Sequence, residues 1–237
     1  MVTRHHRGWT FLILLLAVAL LLTAGLYAVD RWAERRVADQ VAENLHSALG
    51  TKDPPQVRFD GFPFLTQVAS RNIRQVQVTA EGIGATREGL LPVAHADLLF
   101  TDVTTTDWFK TMTASHVDGS AVVDYSALHE ASNIPVSYAG DGRIRIETTT
   151  TLFGARVVAQ ITGVPRLDRS QAVTLGDPTI TVAGVELPDF TAEAMLRTVL
   201  KPIPVTGLPL GLTLSSVAAE ASAMRFGVVG DNAPLQG

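Results

Sequence analysis

Residues 30–49 (DRWAERRVADQVAENLHSAL) have apolar residues at the spacing of an α-helix, with one apolar face and one charged face. The apolar residues lie within roughly half of a helical wheel and the charged residues fill the rest. Gly50 ends the pattern, and Pro54-Pro55 prevents its continuation. The pattern predicts an amphipathic helix that places one face on the core of a domain. This face comprises Ala33, Val37, Ala38, Val41, Ala42, Leu45, Ala48 and Leu49.

Immediately upstream, residues 9–29 (WTFLILLLAVALLLTAGLYAV) carry no charge. As a helix, this run would extend roughly 31 Å, about the thickness of a bilayer core. A cleaved signal peptide and an uncleaved anchor both fit, and the large residue at position −3 in Leu26-Tyr27-Ala28 favours the anchor. We expect residues 1–29 to be a signal peptide or membrane anchor. Residues 30–237 would then form an exported domain in the cell envelope, on the periplasmic side of the cytoplasmic membrane, either membrane-anchored or secreted after cleavage.

Downstream of the helix, the apolar residues recur with a period of two, as in residues 94–100. Similar stretches follow at residues 144–151, 155–162, 179–185 and 210–217. Asp141-Gly142 is typical of a tight hairpin turn. Further helices are expected at residues 125–131 and 192–200. The pattern predicts a strand-dominated α+β domain.

The composition excludes several functional classes. The chain has 237 residues, of which 46% are hydrophobic, and its net charge is −4. The apolar content excludes a disordered chain, and the absence of basic clusters excludes a nucleic-acid partner bound through phosphates. The chain contains no cysteine, so it has no disulfide, thiolate metal site or cysteine nucleophile. Its stability must therefore come from packing.

Patterns for catalysis and metal binding are weak. The sequence has no G-x-S-x-G, S-x-x-K, H-E-x-x-H or phosphate-loop motif. A triad built on His116 and Asp118 is an alternative, but residues close together on a strand do not converge as a triad requires. We expect no metal, no cofactor and no enzymatic activity. A membrane-linked hydrolase dependent on His116 or His129 remains an alternative.

Apolar residues concentrate at two bends that contain proline. In residues 61–66, Phe62 and Phe64 flank a proline that cannot donate to a sheet ladder. Residues 200–210 (LKPIPVTGLPL) combine three prolines with aliphatic side chains. Apolar loops of this kind suggest contact with lipid. The alternative is that they cap one end of the core, and the same alternative applies to Trp108 and Phe109.

The sequence resembles a known family in four features. These are the uncharged run, the helix at residue 30, the motif G-F-P-F-L-T-Q at residues 61–67 and V-x-G-V-x-L-P at residues 182–188. The family is the actinobacterial lipomannan elongation and maintenance (LmeA-like) phospholipid-binding family, and the resemblance covers roughly residues 30–230. It implies a tubular lipid-binding fold, in which a long amphipathic helix packs in a strongly curved antiparallel sheet that encloses an apolar tunnel. It also implies that the protein binds envelope lipid and supports lipoglycan (lipomannan) elongation or maintenance.

On this basis we expect binding, and possible transfer, of phospholipid at a membrane, without catalysis. An envelope scaffold whose tunnel is filled by its own side chains is the alternative. We also expect Phe64→Asp to weaken lipid uptake and to leave the fold largely intact. An anionic or phosphatidylinositol-type head group would require cations near the opening, for which the candidates are Arg58, Arg71, Arg74 and Lys201. The candidate lipid-contacting residues are Phe59, Phe62, Phe64, Leu65, Trp108, Phe109, Leu196, Leu200, Ile203, Leu208 and Leu210.

Overall fold

The computed structural model describes residues 6–84, 92–106, 111–152, 155–188, 203–204 and 208–235. A single helix, α1 (His6–Leu49), contains both the uncharged run and the amphipathic stretch. No proline or glycine interrupts their junction at residues 29–30, so the two predicted segments form one continuous rod. Its upstream part, beginning at Leu12, is exposed on all sides and is long and apolar enough to cross a membrane. The helix ends at Gly50, as predicted, with φ of +61°.

Six antiparallel strands form the first sheet, in the order β1-β2-β3-β4-β12-β11. Strand β12 pairs with β4, which begins about half a chain earlier, so residues 223–234 lie against residues 113–124. This pairing places β12 inside the sheet, between β4 and β11. The strands are β1 (Gln56–Asp60), β2 (Asn72–Ile83), β3 (Val93–Thr106), β4 (Thr111–Asp124), β11 (Thr213–Ala219) and β12 (Ala223–Pro234).

A second antiparallel sheet has the order β10-β8-β7-β6-β5, with β9 paired to β8. The predicted turn at Asp141-Gly142 joins β5 and β6, and both residues have positive φ, as a tight hairpin requires. The strands are β5 (Val136–Gly140), β6 (Arg143–Leu152), β7 (Ala155–Leu167), β8 (Ala172–Val182), β9 (Val185–Glu186) and β10 (Ile203–Pro204).

Two short helices accompany the sheets. Helix α2 (Phe64–Ala69) connects β1 to β2, and α3 (Tyr125–Ser132) follows β4 at the position expected from the sequence. The helix expected at residues 192–200 lies outside the described residues. The sheets curl into a half-barrel, and the α+β class is confirmed.

The main core gathers apolar side chains of the first sheet, of α2 and of the part of α1 that follows residue 32. Apolar side chains of the amphipathic face, including Val41, Ala42 and Leu45, lie in or against this core. A smaller apolar cluster in the second sheet is built on Ala159, Ile161 and Ile180. The largest fully buried side chains of the main core are Phe64, Ile73, Val76, Phe100, Val103 and Val117.

Candidate functional site

The motif at residues 61–67 forms a corner between β1 and β2 and is held against α1 by one carboxylate. Asp30 is only 3% exposed. Its Oδ2 accepts the Phe64 N–H at 3.0 Å, and its Oδ1 accepts the Leu65 N–H at 2.8 Å. These amides open α2 and have no partner within that helix. A side chain on one helix therefore caps another that lies 34 residues later in the chain.

Gln67 closes the corner from the other side. Its Nε2 donates to the Asp60 carbonyl oxygen at 3.2 Å, and its Oε1 accepts the Arg74 N–H at 3.0 Å. The side chain is buried, so it joins the end of β1 to the beginning of β2 in a site with little water. The Phe62–Pro63 peptide bond is cis. The bend predicted around Pro63 is a turn followed by α2, because Asp30 supplies the acceptors that α2 needs.

Gly61 is required for this turn. It has φ of +98°, and a Cβ placed there would lie 2.8 Å from Gln67 Nε2. We expect Gly61→Ala to lower the free energy of unfolding by about 1–3 kcal/mol, because the backbone is strained and the Gln67 amide must move.

Gly142→Ala is the matched control for this substitution. Gly142 also has positive φ, +68°, but a Cβ there would meet no atom within 4 Å. Its replacement should cost about 1 kcal/mol. Thermal denaturation of both variants tests the difference, and an equal loss of stability would show that the Gln67 contact contributes nothing.

The corner separates the predicted lipid-contacting residues into two groups. Phe59 and Phe64 are buried in the main core, with ring centroids 5.1 Å apart. Phe62 and Leu65 point to the surface, where they are 57% and 41% exposed. The expectation that Phe64→Asp would leave the fold intact is therefore wrong, since Phe64 is 1% exposed and belongs to the core.

The remaining predicted contacts lie elsewhere in the fold. Leu208 and Leu210 pack, partly buried, against the main core. Ile203 lies on β10, opposite Val173 of β8. Five further candidates fall outside the described residues, namely Trp108, Phe109, Leu196, Leu200 and Lys201.

Three of the predicted head-group cations lie around the same corner. Arg58 is on β1, Arg71 lies two residues after the end of α2, and Arg74 lies at the beginning of β2. All three are exposed, and within the described ranges no carboxylate forms an ion pair with them. The guanidinium groups are thus accessible to an anion from solvent.

Among the described residues, the polar side chains considered for catalysis do not come together as a triad. His116 Nδ1 lies 2.9 Å from Asp231 Oδ1, not beside Asp118, and the pair is exposed. The Ser115 hydroxyl donates to the Asp102 carbonyl oxygen and so is not directed at a histidine. In the part of the chain that the structure describes, no three histidine or carboxylate side chains gather as a metal site would require.

An open depression on the outer face of β2, β3 and β4 has mixed charge. Asp97 and Asp118 contribute to its lining together with Leu99. Hydrogen bonds from the Thr79 hydroxyl and then from His95 lower the pKa of the Asp97 carboxyl. The Arg225 guanidinium donates to the hydroxyl of Ser120 in the lining and lies near Asp97, so a cation offsets these carboxylates.

Comparison with known proteins identifies the family. A family model described as LmeA-like phospholipid-binding matches residues 28–228. The chain belongs to the LmeA-like family. The family resemblance predicted from the sequence is therefore confirmed. No curated protein and no solved structure matches the chain.

The part of the chain that matches the LmeA-like model begins at the end of the uncharged run and contains the whole corner. Asp30, the Gly61–Gln67 motif and the second sheet lie within it, and of the first sheet only residues 229–234 of β12 lie beyond it. Sequence reasoning found the motif but missed Asp30. The only available signal was its position as the first charged residue after the uncharged run.

Proposed function

We propose that the protein binds phospholipid without catalysis in the cell envelope. The observation that carries this proposal is the LmeA-like phospholipid-binding match over residues 28–228. We further propose that the bound lipid is presented or transferred in support of lipoglycan (lipomannan) elongation or maintenance. The apolar part of α1 would hold the domain at the exported face of the cytoplasmic membrane.

The acyl chains, in this proposal, occupy an apolar tunnel in the curled sheets. The smaller cluster supports this placement, because partly buried Ile146, Leu175 and Val182 surround its fully buried centre. Side chains of this kind still expose apolar area that an acyl chain can cover. Each buried methylene group contributes about 0.8 kcal/mol, so about ten of them supply about 8 kcal/mol of gross binding energy. A chain that leaves a bilayer gives up burial of the same kind, so the tunnel offsets this cost and allows the lipid to leave the membrane.

The head group is assigned to the cations around the corner. Arg71 and Arg74 are exposed and form no ion pair with a described carboxylate, whereas Arg225, beside the depression, is paired with Glu220. An anionic phosphate, including that of a phosphatidylinositol-type lipid, favours guanidinium groups, which can donate two parallel hydrogen bonds. The guanidinium groups without an ion pair thus favour the corner as the phosphate site.

Photo-crosslinking tests the tunnel directly. The full-length chain is purified in detergent and incubated with a phospholipid that carries a diazirine at the end of one acyl chain. We expect adducts on peptides from β6 to β8 and competition by unlabelled phospholipid. Adducts confined to residues 9–29, which any membrane helix would give, would contradict the tunnel and favour the scaffold alternative.

A matched pair of substitutions identifies the face that binds the lipid. Ile146 and Val158 lie on adjacent strands, but Ile146 packs against the cluster whereas Val158 is exposed. We expect Ile146→Trp to fill the space and to reduce crosslinking about tenfold, which corresponds to about 1.4 kcal/mol. Val158→Trp should leave the crosslinking unchanged. Equal yields from the two variants would place the lipid elsewhere.

A further inference from the structure

The corner lies level with the end of the uncharged part of α1. The Phe62 ring centroid is 5.7 Å from that of Tyr27. The Arg31 guanidinium carbon lies 5.6 Å from the Tyr27 ring and 6.0 Å from the Phe62 ring. Leu65 is held at the same level by its N–H bond to Asp30. Phe62 and Leu65, two exposed residues of the domain, thus lie beside α1 at the point where its apolar run ends.

Four exposed side chains form a belt at this level, namely Tyr27, Trp32, Phe62 and Leu65. Tryptophan and tyrosine concentrate where hydrocarbon meets water, because their rings are apolar and each carries one polar group. The guanidinium of Arg36 lies 5.5 Å from the Trp32 ring, in a cation–π arrangement. The belt therefore combines apolar rings with the guanidinium of Arg36, while that of Arg31 is ion-paired with Glu34. Aromatic rings and cations of this kind suit the head-group region of a bilayer.

The attachment of the corner to α1 is rigid. Both oxygens of Asp30 are used by α2, and α1 continues without interruption from the uncharged run into the core of the domain. The domain consequently has no flexible linker at this point. If the uncharged run lies in a bilayer, Phe62 and Leu65 must lie at its surface.

We infer that the belt is a bilayer-contact surface and that Phe62 and Leu65 enter the head-group region of the membrane that holds α1. The occupant is a phospholipid bilayer rather than a soluble partner, because the belt is continuous with a helix that is apolar on every side. This inference goes beyond the proposed phospholipid binding, since it requires no tunnel. It fixes which end of the domain faces the membrane.

Single cysteines provide the test, since the chain has none of its own. Full-length Phe62→Cys and Leu65→Cys are each labelled with a polarity-sensitive fluorophore and reconstituted in vesicles of phosphatidylcholine with a minority of phosphatidylglycerol. Val185→Cys, on β9 and 66% exposed, is the matched control. Quenching by lipids with a nitroxide close to the head group is measured for each label.

We expect blue-shifted emission and several-fold stronger quenching at positions 62 and 65 than at position 185. Labels at both positions that are as solvated as the one at 185, or a chain that separates from vesicles on flotation, would overturn the inference. Circular dichroism establishes that each variant is folded, and the two exposed positions serve as independent probes. Acyl-chain crosslinking to β6–β8 is measured separately, so failure of the tunnel and failure of the bilayer contact are distinguishable.

Discussion

Replacement of Phe64 by alanine should lower the free energy of unfolding by about 3–5 kcal/mol, the range measured for deletion of a buried aromatic ring. Phe64 is 1% exposed and packs against Phe59. Its removal leaves a cavity between α1, α2 and the first sheet that the surrounding elements cannot fill. Phe64→Asp should be more destabilising still, because it also places a carboxylate in the core.

Phe62→Ala is an unusually close control for this prediction. It removes the same side chain two residues away, but Phe62 is exposed, and the expected loss is about 0.5 kcal/mol. Denaturant unfolding of the full-length variants in detergent, followed by circular dichroism, measures both values. Similar losses for the two variants would mean that the corner does not direct Phe64 into the core.

The different burial of Phe62 and Phe64 marks a limit of the sequence analysis. From the sequence, Phe62 and Phe64 were both predicted to contact lipid, because they flank a proline at a bend. In the structure, the turn at Gly61 and the beginning of α2 leave Phe62 exposed and bury Phe64. The apolar character of the motif was therefore predictable, but the direction of each ring was not, because it depends on a hydrogen bond from α1.

Local patterns predicted the local elements well. The face of α1, the turn at Asp141-Gly142 and the helix after residue 124 each depend on a few neighbouring residues. The pairing of β12 with β4 was not predictable, since a period of two identifies a strand but not its partner. The same reason applies to Asp30, whose partners are distant in the chain.

Substitution of Asp30 is expected to separate the corner from α1. Asp30→Ala removes the acceptor of two N–H groups in the first turn of α2, and the loss of each such bond costs about 1–3 kcal/mol. We therefore expect a loss of about 2–6 kcal/mol in the free energy of unfolding. Asp30→Asn retains one accepting oxygen and should give an intermediate loss.

Asp39→Ala provides the control, because Asp39 lies on the same helix and is exposed. In the Asp39→Ala variant the free energy of unfolding should fall by no more than about 0.5 kcal/mol. Hydrogen exchange at the Phe64 and Leu65 amides should accelerate in Asp30→Ala and remain slow in Asp39→Ala. If exchange at these amides is unchanged while the free energy of unfolding falls, Asp30 stabilises the protein only through contacts within α1. Faster exchange would instead mean that the Asp30 carboxylate couples α1 to the domain. Phe62 and Leu65 would then keep their position along α1 only while this carboxylate is present.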